Sequence, residues 1–228
     1  KFGLNTAILS GDAMLVKAYQ YLEDLEPELF KSSTKLFSKT ALEVCEGQQF
    51  DMNFESRWDV TEAEYIRMIR LKTSVLLGFA LELGGIVSGA NEETTRLLYH
   101  AGESMGIGFQ LKDDLLDVYG DPEKFGKQVG GDIISNKKTY LLIEALTKAT
   151  GQAKQDLEYW LSLKDFDKEE KVSAVTKIYD ELNIRELTQQ KINNYFAQGF
   201  SDLENLEVAN ERKTVLMEFV HHLVEREK

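Results

Sequence analysis

Apolar and polar residues recur with a helical period along most of the chain. In residues 5–25, Ala7, Ile8, Leu15, Ala18, Tyr19 and Leu22 fall on one stripe at 3.6-residue spacing, which predicts a helix. The segment Glu23-Asp24-Leu25-Glu26-Pro27 ends it. Pro27 suits the first turn of the next helix, where its missing N–H costs nothing, and that helix is predicted to reach about Phe54. Asp59-Val60-Thr61-Glu62-Ala63-Glu64 reads as another helix start, with Asp59 or Thr61 as cap and carboxylates at the positive end of the dipole. The helix that follows is expected to run to about Ser88, where Gly84, Gly85 and Gly89 loosen or end it. A fourth helix is predicted over residues 92–119, broken by Gly120-Asp121-Pro122. Residues 123–136 hold Gly126, Gly130 and Gly131 and read as a loop. From Lys138 the pattern gives shorter helices, divided near Gly151, Asp165 and Asn183, and an apolar terminal helix over 215–224. No strand alternation and no repeat is visible, so the expected class is all-α, with residues 1–228 as one domain.

Composition agrees with that picture and narrows the function. Only two prolines interrupt 228 residues, which leaves room for long helices. A hydrophobic share of 43% and a charged share of 29% suit a folded soluble protein. The net charge of -12 argues against nucleic-acid binding, which needs a basic surface, and an anionic substrate would need local lysines or metal ions. The single cysteine, Cys45, permits no intrachain disulfide, fits a reducing cytoplasm, and reads as a small buried hydrophobe. No apolar run is long enough for a transmembrane helix.

The most informative stretch is Gly108-Phe109-Gln110-Leu111-Lys112-Asp113-Asp114-Leu115-Leu116-Asp117. On a helix, Asp113 and Asp117 share a face while Asp114 lies about 100° around. Like charges at that spacing repel, and burial between leucines sharpens the cost unless something positive lies between them. With no His or Cys beside them, the carboxylates point to Mg²⁺ rather than zinc. The spacing alone serves a surface acidic run equally well. The downstream loop adds Lys127 and Lys137, and Asp132 between them, giving an acid-metal-phosphate-lysine pattern.

The runs FQLKDDLLD and GKQVGGDIISNKKTYLL resemble the second aspartate-rich motif of the polyprenyl synthetase family. Glu46-Gly47-Gln48-Gln49-Phe50-Asp51-Met52 is similar to that family's GQxxD segment, and Leu71-Lys72-Thr73-Ser74 to its KT pair. Residues 3–12 resemble the segment that follows its first aspartate-rich motif. The resemblance implies an isoprenoid synthase-type helical bundle around a central cavity. It implies condensation of isopentenyl diphosphate with an allylic diphosphate, aided by Mg²⁺. Carried over by position, Asp113, Asp114 and Asp117 would hold Mg²⁺, and Lys72, Lys127 and Lys137 would contact the diphosphate. Thr73 and Gln110 would lie near the developing allylic cation, Gln48 and Asp51 would line the cavity, and Asp132 would orient a lysine or a metal-bound water. Residues 76–86 and Met105 are candidate walls for the growing tail, and equally candidates for plain core packing. The resemblance also implies a cytoplasmic homodimer, and a longer polypeptide carrying the first aspartate-rich motif and the isopentenyl diphosphate site ahead of Gly3. Two other readings stay open at this point. One is a non-catalytic subunit of a heteromeric synthase, and the other is a class I terpene cyclase.

Overall fold

The computed structural model describes residues 3–121 and 129–225. Among these residues the regular structure is helical and there is no strand. The first part holds α1 (Leu4–Gln20), α2 (Pro27–Phe54), α3 (Glu62–Ile69), α4 (Val75–Val87) and α5 (Glu92–Tyr119). The second holds α6 (Gly131–Ile134), α7 (Tyr140–Lys148), α8 (Gly151–Ser162), α9 (Lys168–Glu181), α10 (Ile184–Glu204) and α11 (Asn210–Glu225). No helix among the described residues is long and apolar enough to cross a membrane.

Local chemistry sets where the helices begin. Thr61 Oγ1 accepts from the Glu64 amide at 3.2 Å, and Glu64 Oε2 accepts from the Thr61 amide at 2.9 Å. This reciprocal cap satisfies two N–H groups that the first turn of α3 leaves without helical partners. Of the two candidate caps, Asp59 is instead paired with Arg57 at 2.8 Å. Asn91 Oδ1 caps α5 by accepting from the Thr94 amide at 2.8 Å. Pro27 opens α2 as its position suggested.

The axis of the molecule is α5, flanked by α4 on one side and α10 on the other, while α2 crosses the α3–α4 junction and α4. Buried Ala101, Met105, Leu111, Leu115 and Val118 of α5 meet Ile192, Phe196 and Leu203 of α10 in one core. Each of these side chains except that of Ala101 contributes about 1.5–3 kcal/mol by leaving water. Met105, one of the candidate cavity walls, is 3% exposed and lies against Gly199, so it is part of the core.

Three readings from the sequence are corrected. The helix expected to run from residue 61 to about Ser88 is not uniform, because residues 70–74 form a π-helical stretch between α3 and α4. Cys45 is exposed, since Ala41 and Val44 take the half-buried positions on that part of α2. The terminal helix begins at Asn210, five residues before the apolar run that announced it. α1 forms over Leu4–Gln20, as the stripe predicted; it has no buried residue, and Ile8, Leu9, Met14 and Val16 are exposed.

Candidate active site

The site is built where the π-helical stretch, the middle of α5 and the turn after α6 meet. A π turn adds a residue to the helical circuit and re-aims the side chains that follow, a device often found at functional positions. Here it carries Lys72 and Thr73. Two glycines let neighbouring helices close on it. A Cβ on Gly47 of α2 would stand 2.3 Å from the Lys72 backbone nitrogen, and one on Gly106 of α5 would stand 2.7 Å from Ser74 Cα. Only hydrogen fits at either contact.

From this platform a hydrogen-bonded chain runs into the bundle. Thr73 Oγ1 donates to Gln110 Oε1 at 3.3 Å, and Gln110 Nε2 donates to Asp114 Oδ1 at 3.2 Å. The other Asp114 oxygen accepts from the hydroxyl of Tyr65 on α3. Both ends of that last bond are buried, Tyr65 at 1% and Asp114 at 3% exposure. Lys137 Nζ stands 3.9 Å from Asp114 Oδ1 and 3.4 Å from Asp132. Burial pushes the Asp114 carboxyl above its usual range, although Lys137, Tyr65 and Gln110 pull the other way. Burial also raises Asp132, to about 6, with Lys137 opposing and Asp114 and Asp117 adding repulsion. For Lys137, burial would lower the pKa, but Asp114 and Asp132 outweigh it and the net shift is upward. Lys137 is thus held as a cation.

The three aspartates of α5 have different surroundings. Both oxygens of Asp114 accept hydrogen bonds from within the protein. Asp117 is half-buried, and its Oδ2 accepts from the Asp132 amide at 2.8 Å, which folds the start of α6 against α5. Asp113 is half-buried one turn before Asp117. Lys72 Nζ pairs with Asp51 Oδ2 at 2.6 Å, joining the KT segment to α2. Gln48 lies one turn before Asp51 on α2 and is exposed. A cleft of about 420 Å³ separates the end of α2 from the turn after α6, lined by Asp51, Phe54, Glu55, Asn136, Lys137 and Lys138. Lys127 lies outside the described residues.

Most of the residues singled out in the sequence therefore come together: Lys72, Thr73, Gln110, Asp114, Asp132, Lys137 and Asp51 form one connected set. Tyr65 went unnoticed, because a tyrosine on an amphipathic helix gives no signal of its partner 49 residues away. Lys138 was also missed. It is 6% exposed, donates to the Asn136 carbonyl at 3.1 Å and lies 4.0 Å from the centre of the Trp58 ring.

Among the described residues no three His, Cys, Asp or Glu side chains converge to form a protein-only metal cage. Asp113 and Asp117, half-buried carboxylates one turn apart on α5 with no His or Cys beside them, fit Mg²⁺ better than zinc. Magnesium is content with one or two carboxylates and completes its octahedron with water and phosphate oxygens.

The chain is similar over nearly its whole length to known proteins. It is 33% identical to the geranylgeranyl pyrophosphate synthase of Geoglobus acetivorans, over 99% of this chain and 69% of that one. A crystal structure of a geranylgeranyl pyrophosphate synthase superposes with a TM-score of 0.92 at 43% identity, covering 99% of this chain and 70% of the other. The Corynebacterium glutamicum geranylgeranyl pyrophosphate synthase, solved in complex with isoprenyl diphosphate and magnesium, gives a TM-score of 0.88 at 29% identity, over 99% of this chain and 64% of that one. The family model for polyprenyl synthetase matches residues 1–179, a span that holds the KT pair, the DDLLD helix and Lys137. The helical architecture, the clustered aspartates and lysines, and these likenesses agree, and the chain belongs to the polyprenyl synthetase family.

Proposed function

We propose that this protein, acting as one domain, elongates an allylic prenyl diphosphate by condensing it with isopentenyl diphosphate. The observation that carries this reading is the continuous chain Thr73–Gln110–Asp114 with Lys72 and Lys137 at its sides. It sets cations that can meet a diphosphate next to neutral oxygens that can face a carbocation.

In this reading the ammonium groups of Lys72 and Lys137, together with Lys127, take the diphosphate of the allylic substrate. They neutralise the charge that builds on the leaving oxygens as the C–O bond breaks. Asp113 and Asp117 would hold Mg²⁺ against the same diphosphate. The ion would supply Lewis-acid stabilisation of the leaving group. Asp114 serves by orientation: it fixes the Gln110 amide so that the carbonyl oxygen is the end presented to Thr73. The Thr73 and Gln110 oxygens then offer negative dipoles to the allylic cation. The double bond of isopentenyl diphosphate attacks that cation, a C–C bond forms, and the proton lost goes to the departed diphosphate. Asp132 keeps Lys137 charged and pointed inward. Gln48 and Asp51 line the approach from α2, with Asp51 holding Lys72 until substrate competes for it.

A homodimer is part of the proposal, supported by the apolar side chains that α1 leaves exposed, among them Leu9, Met14 and Val16. Sedimentation of the complete gene product measures it.

The test of the activity is direct. The complete gene product is incubated with isopentenyl diphosphate and a series of allylic diphosphates, with and without Mg²⁺, and the products are weighed by mass spectrometry. Mg²⁺-dependent addition of C5 units, lost in Asp113→Ala, is expected. Release of diphosphate with a cyclic hydrocarbon would show a cyclase instead, and no turnover would show a non-catalytic subunit.

A further inference from the structure

The most unusual charged group outside the site just described is Lys171, in the first turn of α9. It is 0% exposed. Its ammonium donates to Asn136 Oδ1 at 2.7 Å and to the Ile134 carbonyl at 3.5 Å, and it lies 4.1 Å from the centre of the Phe166 ring. Among the described residues none of these partners is a carboxylate. An ammonium buried against neutral dipoles and a ring is costly, and burial lowers its pKa. An apolar side chain of similar length would escape that cost but leave Asn136 Oδ1 without its donor.

The object of the contact gives it a purpose. Asn136 has φ of 53°, a left-handed conformation that few side chains adopt readily. Its side chain is gripped at both ends: Oδ1 by Lys171, and Nδ2 by donation to the Leu161 carbonyl at 3.0 Å. Its backbone N–H donates to the Ile133 carbonyl at 3.2 Å. The next residue in the chain is Lys137, whose amide donates to the Asp132 carbonyl at 3.0 Å and whose ammonium faces Asp114 and Asp132. The direction in which Lys137 leaves the turn is therefore set by a clamp whose two jaws are α9 and the end of α8.

We propose that Lys171 is a positioning residue for diphosphate binding: through Asn136 it fixes the turn that aims Lys137 into the site. It touches neither substrate nor metal. The assignment rests on the diphosphate-binding reading given above and extends it to a residue beyond its motifs.

The test is a double-mutant cycle read by binding rather than turnover. Inorganic pyrophosphate with Mg²⁺ is titrated calorimetrically into the complete gene product, Lys171→Met, Lys137→Met and the double variant, each shown to be folded by circular dichroism and thermal melting. Lys171→Met is expected to weaken pyrophosphate at least about tenfold, the low end of what lost orienting contacts cost. In the Lys137→Met background the same change is expected to add nothing, because both act through one group. A purely structural role would move the melting temperature and leave the folded protein's affinity alone. A smaller loss, or losses that multiply in the double variant, overturns the proposal. If Lys171→Met does not fold, Asn136→Gly decides by the same criteria, since glycine accepts the positive φ and deletes only the clamp. Wild-type protein that binds pyrophosphate but does not elongate prenyl chains would refute the catalytic reading, and the cycle would still decide this one. Wild-type protein that does not bind pyrophosphate overturns both.

Discussion

The Tyr65 hydroxyl donates to the Asp114 carboxylate and so ties α3 to the C-terminal part of α5, inside the bundle. A carboxylate at 3% exposure needs each of its hydrogen bonds, because what is not satisfied by protein is not satisfied by water. Tyr65→Phe keeps the ring and removes only the donor. It is expected to cost about 1–3 kcal/mol in urea unfolding. It should also lower kcat, because Asp114 then holds Gln110 less firmly. An unchanged unfolding midpoint would show that this bond contributes nothing net.

The unequal surroundings of the three aspartates predict unequal mutant behaviour. Asp113→Ala should lower kcat/KM on the order of 10²-fold or more, the loss expected when charge stabilisation of a leaving group is removed. Asp117→Ala should lower activity similarly and also lose about 1 kcal/mol, because its carboxylate accepts from the Asp132 amide. Asp114→Ala should be the least stable of the three, since it strands Tyr65 and Gln110. Steady-state kinetics and thermal melts on the same preparations separate the two effects.

How far these roles could be read from the chain depends on where the signal sits. The helix ends marked by Pro27, by Asp59 or Thr61, and by Gly120 were legible, because caps and breakers act through near neighbours. The grouping of Lys72, Gln110, Asp114 and Lys137 was legible through the resemblance of their runs to the motifs of the polyprenyl synthetase family. The π-helical stretch was not. Its one-residue shift of the helical phase is hard to read where the chain is apolar on most faces, as it is over residues 75–87, and Gly47 and Gly106 approach it from other helices. The inward turn of Asp114 was equally hidden. Asp114 shares the buried face of α5 with Leu111, Leu115 and Val118, while its partner Tyr65 lies far off in sequence. The outward turn of Cys45 follows the same rule, since the side of α2 that is covered is chosen by the helices packed on it.

Gly47 predicts a long-range effect of one methyl group. In Gly47→Ala the new Cβ would meet the backbone at Lys72 and Leu71, at 2.3 and 2.7 Å, and a backbone cannot step aside as a flexible side chain can. α2 must move away from the π-helical stretch. The expected cost is about 1–3 kcal/mol, the usual range for overpacking. Because Lys72 and Thr73 sit on the displaced segment, kcat should fall more than stability alone explains. Kinetics measured well below the variant's melting temperature check this. A variant that melts early yet turns over normally would place the strain in α2 instead.

Two carboxylates outside the site should give stability opposite pH dependences. Glu64 is held below its ordinary pKa chiefly by its hydrogen bond with Arg57, with the Thr61 amide and hydroxyl adding to it. Its folded value lies below its unfolded one. The stabilisation is therefore complete above the unfolded pKa and fades as pH falls through the folded value. Glu64→Gln preserves the cap but not the charge, so it should be less stable than wild type at pH 7, with the gap closing in acid. The gap should be small and salt-sensitive, since the side chain is 38% exposed. Glu82 on α4 is shifted the other way: burial raises it, against Lys39 and His100. Here the folded protein prefers the protonated form, and that advantage is lost as pH rises through the raised folded value. Glu82→Gln should thus be more stable than wild type at pH 7 and match it in acid. Urea unfolding of both variants at pH 4, 5.5 and 7 tests the pair, and differences that move in the same direction would contradict the opposite environments assigned to the two groups.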